Sequence, residues 1–142
     1  MKSVVTAAEI QNFLDRGVPH TSLAVDKVEA GNVWVYQTVD ESNLRPGRTI
    51  SGPTMMAMAD GAAYVVVIAH IGIVPLAVTS NLNISFLSKP EAGKTLLAQG
   101  TLLHLGRRSV ITKVDIYSKG QLQKPVAHAV VTYAIPSSHF ET

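Results

Sequence analysis

Residues 52–71 read GPTMMAMADGAAYVVVIAHI. The stretch is almost wholly apolar. Its Pro53 stands where a helix tolerates proline, in the first turn, because an N–H there has no acceptor within the helix. Gly72 and Pro75 follow and stop it. From Thr54 to Ile71 it is about the minimum length for a membrane span. Asp60, Gly61 and His70 interrupt the run, however, and no basic flank follows it. A charged Asp in the middle of a lone span is costly. A helix that is apolar all round must be covered on most sides, so the reading that fits is a buried helix inside a sheet protein.

Outward from this helix the period changes to two. In residues 78–86 the odd positions are polar (Thr79, Asn81, Asn83, Ser85), and the even ones are apolar (Val78, Leu82, Ile84, Phe86) apart from Ser80. Three more strands are predicted over about 95–105, 109–118 and 125–135, with Gly106 and Gly120 in the turns between them. Before the helix, residues 21–28 alternate loosely and 33–39 are rich in β-formers, with Ala30-Gly31-Asn32 as a tight turn. Residues 40–50 hold Pro46 and Gly47 and read as a loop. Thr6 and Glu9 have capping-box spacing, which predicts a short helix over 7–16 that Gly17 ends. The tail, 136–142, reads as frayed.

The predicted order is therefore helix, two strands, one long buried helix, four strands. Hairpin-like spacing of the late strands points to an antiparallel sheet. One apolar helix beside five or six such strands predicts an α+β fold whose sheet wraps the helix. At 142 residues the chain fits one domain, 1–142, with its core over about 18–135, and is large enough to bury a core without disulfides.

Composition excludes several function classes. There is no cysteine, hence no disulfide framework, thiolate metal site or Cys nucleophile. The formal net charge is +2, and the 12 Lys and Arg are scattered rather than gathered into a basic stripe, which argues against a nucleic-acid reader. The five histidines show no helical metal-binding spacing, so no metal is expected. Residues 1–10 lack the apolar stretch of a signal peptide, and the expectation is a cytoplasmic protein with no membrane partner.

Asp60 is the most informative residue, because it is the only acid between Glu41 and Glu91 and sits inside an apolar helix. A buried carboxylate must be hydrogen-bonded, protonated or placed at a cleft. Residues alone leave it open whether Asp60 serves a reaction or only anchors a neighbouring loop. Gly52 and Pro53 begin the same helix, where free N–H groups and a partial positive charge suit an oxyanion. Pro53 has no N–H, which leaves that of Gly52. Eight residues of helix separate Gly52 from Asp60 by about 12 Å, so one chain does not easily bring both to one carbonyl. Two antiparallel helices in a symmetric dimer would. Arg107 and Arg108 follow Gly106 in a turn, and a guanidinium pair suits phosphate, although a solvated hairpin tip explains them equally well. Lys89 is a weaker phosphate candidate.

The stretch Gly47-Arg48-Thr49-Ile50-Ser51-Gly52-Pro53-Thr54-Met55-Met56-Ala57-Met58-Ala59-Asp60 resembles the signature of the PaaI-like thioesterases of the 4-hydroxybenzoyl-CoA thioesterase superfamily. There a G-x-x-H-G-G element precedes a helix whose Asp or Glu lies eight residues after the first Gly of the pair. Ala77 to Leu87 resembles the family's central strand, and His104-Leu105-Gly106-Arg107-Arg108-Ser109 resembles its L-G-R-R-[ST] turn. The resemblance covers about 18–135. It implies the hotdog fold, with the five- or six-stranded antiparallel sheet around the central helix, and hydrolysis of an acyl-CoA thioester.

The resemblance also implies roles. Asp60 would be the nucleophile or the general base. The Gly52 N–H, from the partner subunit, would polarise the thioester carbonyl. Thr79 matches a position where a hydroxyl helps to place water. Ser51, Arg107, Arg108 and Lys89 would contact substrate or coenzyme A. No cofactor is implied beyond coenzyme A as part of the substrate. The Gly52–Asp60 separation, with the edge that the central strand would otherwise expose, predicts a homodimer, paired again into a homotetramer. The sequence departs from the pattern at three places: Ser51 stands for the motif His, Pro53 for the second Gly, and Arg45 for an Asn fifteen residues before the acid. Two alternatives stay open at this point. One is a non-catalytic acyl-CoA-binding module. The other is a hotdog hydratase or dehydratase, which usually needs a His at the position held by Ser51.

Overall fold

The computed structural model describes residues 3–17, 23–47, 49–90, 93 and 95–137. The start of the first predicted strand, His20, His139 and most of the tail lie outside these residues.

Helix α1 spans Ala7–Gly17. The capping box expected from Thr6 and Glu9 is present in both directions. The Thr6 N–H donates to Glu9 Oε1 and the Glu9 N–H to Thr6 Oγ1, each at 3.1 Å. These bonds hold the exposed Glu9 carboxyl below its usual range, the backbone one contributing most. Strands β1 (Leu23–Glu29) and β2 (Asn32–Gln37) form a hairpin through Gly31, whose φ of 79° explains why a glycine sits there. The predicted loop is more ordered than expected. It holds a 3-10 turn, Glu41–Asn43, and a small two-stranded ribbon, β3 (Leu44–Arg45) with β4 (Thr49–Ile50).

Helix α2 covers Gly52–Ile71, with Ser51 as N-cap and Gly72 at its end. Four strands follow: β5 (Val78–Phe86), β6 (Leu96–Leu105), β7 (Ser109–Ser118) and β8 (Ala127–Ala134). The main sheet has six strands in the order β1-β2-β6-β7-β8-β5, and every neighbouring pair is antiparallel.

The sheet curls around α2, as the apolar periodicity requires. Along β7 and β8 every second residue, from Val110 to Ile116 and from Ala127 to Tyr133, is buried against the helix. Gly100 on β6 lets α2 approach closely. A Cβ there would lie 2.6 Å from Val66 Cγ2 and 3.4 Å from the Ala62 carbonyl oxygen. His70, near the end of the helix, is buried and structural. Its Nε2 accepts from the Gly31 N–H at 2.9 Å, which leaves Nδ1 to donate to the Val66 carbonyl at 2.8 Å. By length and composition α2 could cross a membrane, but most of it is covered by the protein's own sheet.

The two edges of the sheet differ. Gln11 of α1 lies along β1: its Oε1 accepts from the Val25 N–H at 2.7 Å and its Nε2 reaches the Leu23 carbonyl at 3.4 Å. A side chain thus satisfies backbone groups that the edge would otherwise expose. The outer edge of β5 has no such cover among the described residues. Val78 and Phe86, at its two ends, are 58% and 48% exposed.

Candidate active site

Asp60 sits at the boundary of the buried face of α2, between fully buried Ala59 and half-exposed Gly61. What it meets is decided by a bulge in β5. From Leu82 to Phe86 the even residues pair with Val131, Ala129 and Ala127 of β8, which face the helix. Strict alternation would carry that parity back to Ser80 and Val78 and turn Thr79 outward. Instead the register shifts between Thr79 and Asn81, so Ser80 is the extra residue and Thr79 pairs with Tyr133. One inserted residue reverses the faces beyond it. Thr79 therefore shares the inner face with Tyr133, and the Ser80 that broke the even series is the trace of the bulge in the sequence.

The Thr79 hydroxyl donates to Asp60 Oδ1 at 2.5 Å. The Tyr133 hydroxyl donates to the same oxygen at 2.9 Å and also lies 3.2 Å from the Asp60 carbonyl oxygen. Among the described residues, none hydrogen-bonds Oδ2. Tyr133 was not singled out in the sequence. The available signal was its parity with Ala127, Ala129 and Val131, since a buried Tyr needs a partner for its hydroxyl. Burial pushes the Tyr133 phenol well above its ordinary range; the Thr79 hydroxyl opposes this, and the Asp60 charge adds to it. Tyr133 is thus a protonated donor throughout the neutral range.

Beside this carboxylate lies a cleft of about 480 Å³. Leu14 of α1, Leu23 of β1, Ala57, Gly61 and Tyr64 of α2, and Pro75, Ala77 and Val78 give it mainly apolar walls. Tyr64 stacks on Tyr133 with ring centroids 5.5 Å apart, and its own hydroxyl donates to the Val74 carbonyl at 3.0 Å.

Gly52 belongs to another cleft, lined also by Arg45, Met55, Phe86 and Lys89. The Phe86 ring covers Gly52 so closely that a Cβ there would lie 3.3 Å from Phe86 Cζ. Ser51 caps the helix: its Oγ accepts from the Thr54 N–H at 3.3 Å and lies 2.8 Å from Thr54 Oγ1. Asn43 supports this corner, with its carbonyl accepting from the Ser51 N–H at 2.8 Å.

The expected site residues therefore fall into two groups. Asp60 and Thr79 meet; Gly52, Ser51 and Lys89 gather at the other end of β5, with Gly52 about 12 Å from Asp60 by helix rise. The turn carrying exposed Arg107 and Arg108 leaves the sheet next to the row formed by Val110, Tyr133 and Thr79, at the Asp60 end. A carboxylate with one oxygen held by two hydroxyls and one free, beside an apolar cleft, can take a proton from water or attack a carbonyl.

The profile of the thioesterase superfamily matches residues 47–124. This chain belongs to the thioesterase superfamily. A solved structure from Silicibacter sp. TM1040, assigned only provisionally as a thioesterase, is 37% identical, with 96% of this chain and 95% of that one covered and a TM-score of 0.87. The PaaI protein of the Escherichia coli phenylacetic acid degradation operon shares the fold at 22% identity, with 92% and 91% covered and a TM-score of 0.76. A Streptococcus mutans protein solved bound to acetyl-CoA is 25% identical over 82% of this chain and 90% of its own, with a TM-score of 0.72. No curated protein matches the sequence. The thioesterase described here has the hotdog fold, and its enzyme class is thioester hydrolysis. The six-stranded sheet wrapped on α2 is the hotdog itself.

Proposed function

We propose that this thioesterase hydrolyses an acyl-CoA to the free acid and coenzyme A, with Asp60 as the acting carboxylate. The observation that carries the reading is the Asp60 carboxylate, held through Oδ1 by Thr79 and Tyr133 beside an apolar cleft. Binding of acetyl-CoA by the Streptococcus mutans relative supports the ligand class. The acyl group lies in the cleft under Tyr64. Asp60 either takes a proton from water, which then attacks the thioester carbon, or attacks that carbon itself. In both routes negative charge builds on the carbonyl oxygen, the C–S bond breaks, and the thiolate leaves and takes up a proton as coenzyme A; where Asp60 itself attacks, water then hydrolyses the mixed anhydride to the free acid and restores the carboxylate.

The oxyanion is held by the Gly52 N–H of a partner subunit. Two observations support a shared site: the separate clefts of Gly52 and Asp60, and the uncovered edge of β5. A twofold pairing of β5 with its own copy sets the start of one strand beside the end of the other. That brings the partner's Gly52 and Lys89 toward Asp60 and Thr79. Arg107 and Arg108, at the same end as Asp60, receive the phosphates of coenzyme A, and such dimers pair again into a tetramer. Release of free thiol from a panel of acyl-CoAs, followed with a thiol reagent, tests the reading. Turnover of at least one member is expected. Tight binding without release across the panel would make the chain an acyl-CoA-binding module instead.

A further inference from the structure

We infer that Tyr133 is a positioning residue that fixes which oxygen of Asp60 reacts. The inference deepens the proposed function and rests on Asp60 acting on the thioester. A carboxylate on a helix has two equivalent oxygens and a side chain free to rotate. Here Oδ1 accepts two hydroxyls at once, from Thr79 on β5 and from Tyr133 on β8. Two donors from two strands remove the rotation and consume one oxygen, so Oδ2 is left for the substrate.

Tyr133 is built for this task in three ways. Its ring is buried and braced by the Tyr64 ring, whose own hydroxyl is tied to Val74. Its hydroxyl also lies 3.2 Å from the Asp60 backbone carbonyl, so it registers the side chain against its own main chain. It donates without titrating at neutral pH, unlike a His or Lys donor, and so adds no charge beside the carboxylate. Thr79 alone could not do the same, because it sits on the uncovered edge strand next to a bulge.

Tyr133→Phe removes only the hydroxyl and keeps the ring stack. The expected result is a fall in kcat of about tenfold, the scale of one hydrogen bond to a charged group, with KM little changed. The carbon-13 resonance of the Asp60 carboxyl, read at one neutral pH without substrate, should move in Tyr133→Phe, and move the opposite way when site-specific 3-fluorotyrosine, a stronger donor, stands at position 133. A merely structural tyrosine would lower the melting temperature and leave kcat and that resonance where they were; that pattern overturns the inference. If the resonance moves as expected but the wild-type protein cleaves no acyl-CoA, Tyr133 positions Asp60 and it is the thioesterase reading that falls.

Discussion

Gly52 and Asp60 stand eight residues apart on one helix yet open into two different clefts. Eight residues of helix set the first turn of α2 about 12 Å from the Asp60 carboxylate along the axis. In the proposed mechanism a second copy, related by a twofold axis, supplies the donor. Light scattering should report at least a dimer at micromolar concentration; a monomer under those conditions would sink the shared site.

Mixed dimers test the sharing directly. One chain carries Asp60→Asn and the other a bulky change at Gly52, such as Gly52→Phe, which must displace the Phe86 ring. Each mixed dimer then has one site with both defects and one with neither. Two inactive parents should recover up to about half of normal activity per mixed dimer. Verified mixed dimers that stay inactive would mean that both groups serve a site within one chain, or that Asp60 is not catalytic.

Asp60→Asn by itself keeps an oxygen that can accept from Thr79 and Tyr133 but cannot take a proton. The expected loss is about two to four orders of magnitude in kcat, the usual scale for a positioned acid–base group, with the melting temperature held or raised. Near-normal activity in a protein that melts earlier would instead make Asp60 an anchor for β5.

Arg108→Ala, and to a smaller degree Arg107→Ala, should raise KM for an acyl-CoA more than for the matching acyl-pantetheine, which lacks the nucleotide phosphates, and leave kcat almost unchanged. Both side chains are exposed at the Asp60 end of the sheet. Equal effects on the two substrates would reduce the turn to a structural element.

Gly61 controls the width of the proposed acyl cleft. A Cβ at this position would lie 2.3 Å from Leu23 Cδ1, so Gly61→Ala pushes the Leu23 side chain aside. Turnover of bulky acyl-CoAs should fall by about tenfold, the scale of a few tight apolar contacts, while acetyl-CoA is much less affected. A uniform loss across chain lengths would move the acyl group out of this cleft.

Alkaline stability follows from Tyr133. Its phenol is raised above the ordinary value of 10.0, chiefly by burial. A raised acid binds its proton more tightly in the folded state, so its contribution to stability is complete below about pH 10 and is lost as pH climbs from there toward the folded value. The melting temperature should therefore drop above pH 10, and Tyr133→Phe should flatten the drop. Identical alkaline profiles would mean that the phenol is not buried in solution.

Much of this fold was legible because its elements announce themselves locally. The capping box at Thr6 and Glu9, the Gly52-Pro53 helix start and the Gly72 stop each act within a few residues, and the strands 78–86 and 109–118 have the bounds that alternation gave them. The ribbon of β3 and β4 was not legible. Two residues per strand carry no period, and the ribbon exists only because Ile50 is buried in the core and its N–H reaches the Pro90 carbonyl.

The sequence by itself determined that one apolar helix with a single carboxylate would be wrapped by an antiparallel sheet, because periodicity and burial are properties of neighbouring residues. It also marked Asp60, since a lone acid in such a helix needs a partner. Only the tertiary structure decided what that partner is. The side chains facing Asp60 come from strands 19 and 73 residues further along the chain, and a one-residue bulge at Ser80 chooses which face of β5 they share. Alternation read along one strand shows a break at Ser80 but not which face the residues beyond it take, because a bulge is a mismatch between two strands and exists only once they pair.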